Sequence, residues 1–307
     1  VGVVCIHAGL PYSDALRFCV PVFVAVWAFH YERGLARRER AWPYASQRFV
    51  QLLIPYAFWT SLYVLLLHPL SDWRTTPVHT IIGGWFGGYG WAGQYFFVIL
   101  FQLTWLVPIL RNLVTPVSMW VVVTAGVILN AIANYWLFDF RIVSGINDRL
   151  FVYWLPYVFL GVAFARGFPP SRRWLMLAAA ALLAAPFEFE KLSALNQNMS
   201  VYLLTSVTIG SVALLLAAGP RFPHATFARE SQASWGNHAV QYIGQNSFAI
   251  FVGHLLFLEA ARYVGFVPDA SVPGLVGRIM LVIMAIGGSL IIGRILRLTG
   301  LGILVGR

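Results

Sequence analysis

Charge is scarce in this chain. Only 10% of its 307 residues are charged, and a single lysine, Lys191, accompanies 20 arginines and 11 acids. A soluble domain carries about a quarter charged residues, so an ordinary water-facing surface is excluded. Cysteine is nearly absent as well: Cys5 and Cys19 both lie in apolar runs and are too few for a disulfide framework. There is no His-Glu-x-x-His, no Cys-x-x-Cys, no Gly-x-Ser-x-Gly and no P-loop, so a dedicated metal site, a hydrolase elbow and a nucleotide cradle all lack their residues. No internal repeat is visible, which argues against transporters built from related halves.

What is present is apolar. Hydrophobic residues make up 59% of the chain and mean hydropathy is +0.74, while 12 Trp, 13 Tyr and 23 Phe suit the aromatic anchors that spans place at both membrane interfaces. About 20 residues at 1.5 Å rise cover the hydrocarbon core. On that criterion ten stretches read as spans, near residues 1–11, 15–31, 48–67, 93–110, 114–137, 150–165, 173–187, 199–218, 242–262 and 273–296. The predicted fold is all-α: a polytopic transmembrane helix bundle forming one integral-membrane domain over residues 1–307. The first stretch opens on Val1 already inside its apolar run, without the flanks of a secretory signal, and is expected to be truncated.

The net charge of +10 invites a nucleic-acid reading, but the positions of the basic residues oppose it. With a cytoplasmic N-terminus, the inner side receives 14: Arg33, Arg37, Arg38, Arg40, Arg48, Arg111, Arg166, Arg172, Arg173, Arg221, Arg229, Arg294, Arg297 and Arg307. The outer side receives seven: Arg17, Arg74, Arg141, Arg149, Lys191, Arg262 and Arg278. This is the positive-inside pattern, and it predicts both termini inside, membrane lipid as the surrounding partner and no nucleic acid. The outer loop 68–92, rich in Gly and Trp, is expected either to anchor at the interface or to cover an outward-opening site.

His7, in VGVVCIHAGLPY, is the foremost candidate for chemistry. An imidazole near the outer end of a span is costly unless it faces the bundle interior, and its titration range suits a general base; a histidine snorkelling to the interface is the alternative. Glu188 and Glu190 read as a solvated outer turn. Glu259 and Arg262, three apart, read as a pair on one helix face. Ser13 and Asp14 are explained by the turn after the first helix. Proline sits mainly near the expected helix ends.

Five stretches in order resemble the acyltransferase-3 family. HAGLPYSDALRFCVPVFVAVWAF is similar to the family's opening, a helix-one histidine followed by a turn and a second helix of the type VPxFFxxSG; Val20, Pro21 and Phe23 match, while the Ser-Gly pair is replaced around Val26, Trp27 and Ala28. SQRFVQLLIPYAFWTSLY resembles its third helix, with Arg48, Pro55, Tyr56, Phe58, Trp59 and Tyr63 agreeing and Gln51 standing where a second basic residue belongs. GQYFFVILFQLTWLVPIL and WLPYVFLGVAFAR follow, with Gln94, Tyr95, Gln102, Tyr157 and Gly161 agreeing, and IGQNSFAIFVGHLLFL places Ser247 and His254 two turns apart.

The resemblance implies a membrane-bound O-acyltransferase. It would move an acyl group, expected to be acetyl, from cytoplasmic acyl-CoA to a hydroxyl of an extracytoplasmic or lipid-linked glycan. It further implies a bacterial cytoplasmic (inner) membrane, His7 as the catalytic residue, Arg48 and Gln51 at the acyl-CoA donor, and Gln94, Tyr95, Ser247 and His254 at the substrate. No metal is expected. A base taking the acceptor proton and an acyl-histidine relay both remain open. A multi-pass transporter or flippase, or a family member without catalysis, is the alternative function.

Overall fold

The computed structural model describes residues 1–67, 90–135, 149–194, 204–219, 235–266 and 272–306. Among these residues there is no strand, in keeping with the all-α expectation. The α-helices are α1 (Gly2–His7), α2 (Cys19–Leu35), α3 (Ala41–Leu67), α4 (Gln94–Leu110), α5 (Pro116–Tyr135), α6 (Leu155–Ala165), α7 (Leu175–Ala194), α8 (Thr205–Ala218), α9 (Trp235–Gln245), α10 (Ser247–Tyr263) and α11 (Val272–Leu298). Four stretches are long and apolar enough to cross a membrane: Ala15–Leu35, Ala41–Leu66, Gln94–Leu113 and Gly274–Leu298. Three shorter apolar helices accompany them, Pro116–Ile132, Phe151–Ala165 and Thr205–Ala218. The ten spans read from hydropathy are therefore supported only in part.

Several boundaries differ from the sequence reading, each for a local reason. Helix α3 starts at Ala41 rather than 48, because Pro43 falls in its first turn, where a missing N–H leaves no bond unmade. Helix α7 runs on to Ala194 and so carries Glu188 and Glu190 on a helix instead of a turn. The stretch 242–262 is divided at Asn246, whose Nδ2 donates to the Tyr242 carbonyl at 2.7 Å and takes up the end of α9. The first stretch is helical only over Gly2–His7. Pro55 and Pro186 lie within α3 and α7, away from the helix ends where proline was expected.

The chain divides into two compact units. One comprises Val1–Pro11, Val50–Gln94 and Arg221–Arg307. Here α10 and α11 meet along a seam of small residues: a Cβ on Gly253 would lie 3.1 Å from Ser289 Oγ, and one on Gly293 would lie 2.9 Å from Ala249 Cβ. In lipid, where apolar surface gains nothing by leaving the solvent, such close approach is what holds helices together. The C-terminal part of α3 joins them through Tyr63 Oη, which donates to the Val252 carbonyl at 2.5 Å, and Trp59 Nε1, which donates to the Leu304 carbonyl at 2.9 Å.

The other unit comprises Tyr12–Phe49 and Tyr95–Pro220. Helices α2 and α6 approach closely, since a Cβ on Gly161 would fall 2.2 Å from the Ala25 carbonyl oxygen. Although the family's Ser-Gly pair is replaced here, a close helix approach is present, made by Ala25 and Ala28, both fully buried. At the end of α2, Glu32 is 3% exposed and accepts hydrogen bonds from two arginines. Arg111 contributes Nε and Nη2 at 2.9 and 3.0 Å, and Arg166 contributes Nε and Nη2 at 3.1 and 3.0 Å. Two of the expected inner-face anchors thus converge on one buried carboxylate.

Candidate functional site: a histidine pair

Helix α1 has six residues, and a helix that short does not hold itself in isolation. It is held by its neighbours: Val4 and Cys5 are buried, and the last residue, His7, turns its imidazole to α10. His7 Nδ1 lies 2.8 Å from His254 Nε2, and the two rings are within 9° of parallel with centroids 5.1 Å apart. His254 has no exposed surface, while His7 is half-buried.

The tautomers follow from what surrounds the pair. His254 Nδ1 lies 3.0 Å from the Ile250 carbonyl and 2.8 Å from the Phe251 carbonyl, and carbonyls only accept, so the proton is on Nδ1. In the neutral imidazole this leaves Nε2 as an acceptor, and it takes the Nδ1–H of His7. The lone pair of His7 is then on Nε2. A two-step chain of backbone carbonyls, His254 and His7 fixes which His7 nitrogen can receive a proton.

An aromatic wall continues from His254. Phe251 lies 6.5 Å from the His254 ring, Trp91 6.3 Å from Phe251, and Tyr63 4.9 Å from Trp91, between ring centroids. Trp91 is 4% exposed and donates from Nε1 to Thr60 Oγ1 at 3.1 Å. Most of the loop 68–92, expected to be either an interfacial anchor or a cover, lies outside the described residues; its end at Gly90 and Trp91 is buried, Trp91 against α3 and α10.

The other expected site residues are placed as follows. Gln94 is fully buried, with Oε1 accepting from the Gly90 backbone at 2.6 Å and Nε2 donating to Tyr56 Oη at 3.2 Å, so it ties the start of α4 to α3. Tyr95 is buried in the other unit. Ser247 opens α10, about 10 Å of helix rise from His254. Arg48 and Gln51 are both exposed on α3, and Arg48 Nε donates to Tyr44 Oη at 2.9 Å with its guanidinium 5.1 Å from that ring. Cys5 and Cys19 are not joined in a disulfide. Glu259 accepts from Arg262 at 2.6 Å, the expected pair, whereas Glu188 is not solvated in a turn: it accepts from the backbone of Thr205 and Ser206 at 3.0 and 2.8 Å and caps α8. Among the described residues no group of three or more His, Cys, Asp or Glu is gathered for a metal.

Sequence reasoning named both histidines but gave them separate tasks, catalysis and substrate contact. It passed over Arg278 of α11, whose Nη1 donates to the Gly9 carbonyl just beyond His7. The available signal was an arginine inside an apolar run, which in a membrane needs a partner.

No curated protein and no solved structure matches the chain. An acyltransferase-domain family model matches residues 1–294, a range that includes both histidines. On that match over nearly its whole length, the chain belongs to the acyltransferase-3 family and is a membrane acyltransferase.

Proposed function

We propose that the protein is an O-acyltransferase that moves an acetyl group from cytoplasmic acyl-CoA to a hydroxyl of an extracytoplasmic or lipid-linked glycan, with His7 as general base. The observation that carries this reading is the His7–His254 pair, because it leaves His7 with a proton-accepting Nε2 held in one orientation. As the acceptor hydroxyl approaches the thioester, His7 Nε2 takes its proton while the oxygen forms a bond to the carbonyl carbon. The tetrahedral intermediate then breaks its carbon–sulfur bond, and the leaving thiolate recovers the proton from His7. The products are an ester and free CoA thiol, with His7 returned to its starting form.

His254 in this scheme never touches substrate. It spreads the charge that His7 acquires toward the Ile250 and Phe251 carbonyls, and it keeps the imidazole from turning. The exposed Arg48, with Gln51 one turn on, is the proposed donor anchor for CoA phosphates; an arginine fork suits phosphate oxygens. The proposed setting is the bacterial inner membrane with both termini inside. In intact cells, Tyr263→Cys, at a site 93% exposed, should then react with an impermeant thiol reagent in a Cys19→Ser background, and Ala36→Cys should not.

The deciding experiment measures CoA thiol release from acetyl-CoA by purified protein in proteoliposomes supplied with glycan fractions. His7→Ala should reduce acceptor-dependent release by about 10²–10⁴-fold, the usual range for a lost general base. Retention of more than about a tenth of the rate would remove His7 from that role.

A further inference from the structure

Besides the packing of Val4 and Cys5, polar contacts hold the segment that carries His7, and two of them matter here. One is the imidazole itself, on His254. The other is the turn that ends α1: Gly9 takes a φ of +67°, its N–H donates to the Ile6 carbonyl at 3.1 Å, and Leu10 N–H donates to the Cys5 carbonyl at 3.1 Å. This reciprocal pair closes the helix end, with glycine at the left-handed position that only it adopts without strain. The Gly9 carbonyl itself projects from the turn, and Arg278 Nη1 donates to it.

Arg278 lies in the apolar stretch Gly274–Leu298, four residues past its start. An arginine in a span is costly, most so at the helix centre and less near an end, and calls for a partner that offsets its desolvation. Arg262, also counted on the outer side, has a carboxylate one turn away on its own helix. Arg278 reaches a backbone carbonyl 269 residues distant, two residues from His7. Its cation also faces the carbonyl end of α1, the favourable end for positive charge.

We propose that Arg278 is a positioning residue for His7: by clamping the Gly9 carbonyl from α11 it fixes the end of α1, so that the imidazole stays in register with His254 on α10. This rests on the reading of His7 as base. Without the clamp, the end of α1 loses one of its restraints and the imidazole can shift relative to His254. A shift of about 1 Å at a reacting group costs on the order of 100-fold in rate. Arg278 touches neither acyl group nor acceptor in this proposal, so its loss lowers kcat and leaves the KM for acetyl-CoA unchanged.

The test combines CoA thiol release with a readout that needs no turnover, the rate at which diethyl pyrocarbonate modifies His7, followed by mass spectrometry of the purified protein. Arg278→Ala should raise the modification rate several-fold and lower kcat by about 10- to 100-fold. Arg278→Lys should restore much of both, because an ammonium can still donate to the carbonyl, and Arg278→Gln, which keeps a donor without charge, serves if the alanine variant does not fold. An unchanged modification rate overturns the clamp. A raised KM for acetyl-CoA with unchanged kcat also overturns it, and makes Arg278 a donor contact. A faster modification with unchanged kcat supports the clamp but refutes His7 as the base.

Discussion

His254 presents Nε2 to His7 and Nδ1 to two carbonyls of its own helix, so the residue expected to meet substrate is hydrogen-bonded to the histidine expected to be the base. The first prediction follows from this geometry. His254→Gln, which can still accept through its amide oxygen, should retain more activity than His254→Ala, and both should lower kcat while leaving the KM for acceptor in place. If the KM for acceptor rises and kcat does not move, His254 is a substrate contact after all. Saturation curves for the two variants decide the matter.

Glu32 supports a prediction about stability. Replacing it with Gln removes the one carboxylate that Arg111 and Arg166 share and leaves two partly buried guanidiniums without a counter-charge. Breaking a buried pair this way costs about 3–5 kcal/mol. Arg111→Gln should cost less, because Arg166 still neutralises the carboxylate. Unfolding in mixed micelles should rank the variants in that order, and equal stability of Glu32→Gln and wild type would contradict the arrangement.

Gly161→Ala tests the contact of α2 with α6. The added methyl would meet the Ala25 carbonyl oxygen, which is backbone and has no rotamer to give, so the helices must separate. A loss of about 1–3 kcal/mol is expected, the usual cost of overpacking. The same substitution at Gly244, inside α9 with nothing within 4 Å, should instead be neutral or stabilising by up to about 1 kcal/mol, because alanine is the better helix former.

At the proposed donor anchor, Arg48→Ala should weaken acyl-CoA binding, and Arg48→Lys should recover it only in part, since a point charge does not reproduce a planar fork. Tyr44→Phe keeps the ring under the guanidinium but removes the hydroxyl that accepts from Nε, so it should weaken binding less than Arg48→Ala. Gln51→Arg should tighten it if the two positions act together. A purely topological arginine predicts instead that Arg48→Lys is silent. Calorimetric titration with acetyl-CoA separates the two outcomes.

Much of the fold was legible in the sequence because hydropathy reports directly on helices that face lipid. The stretches 93–110 and 273–296 match α4 and α11 closely for that reason. Boundaries slipped where polar residues continue a helix beyond its apolar part, as at Ala41–Gln47 and Glu188–Ala194, since a helix does not end where hydrophobicity does. The site was legible as residues but not as a constellation: His7 and His254 are 247 apart, and no local pattern reports that α1 lies beside α10. Glu32 escaped notice because a single acid at the end of an apolar helix resembles an interfacial residue until Arg111 and Arg166 are seen to reach it.

The convergence on Glu32 also divides the arginines of the expected cytoplasmic side by their sensitivity to ionic strength. Arg111 and Arg166 are committed to a carboxylate that is 4% exposed in its side chain, and a pair so sheltered is screened weakly by salt. Arg33, Arg37, Arg38 and Arg40 stand exposed, and their attraction for an anionic donor or headgroup fades within about 10 Å at 0.1 M salt. Raising salt should therefore weaken the proposed capture of acyl-CoA at that face while leaving the closure of α2 on α6 intact, so that binding and stability respond to the same change in buffer along separate curves.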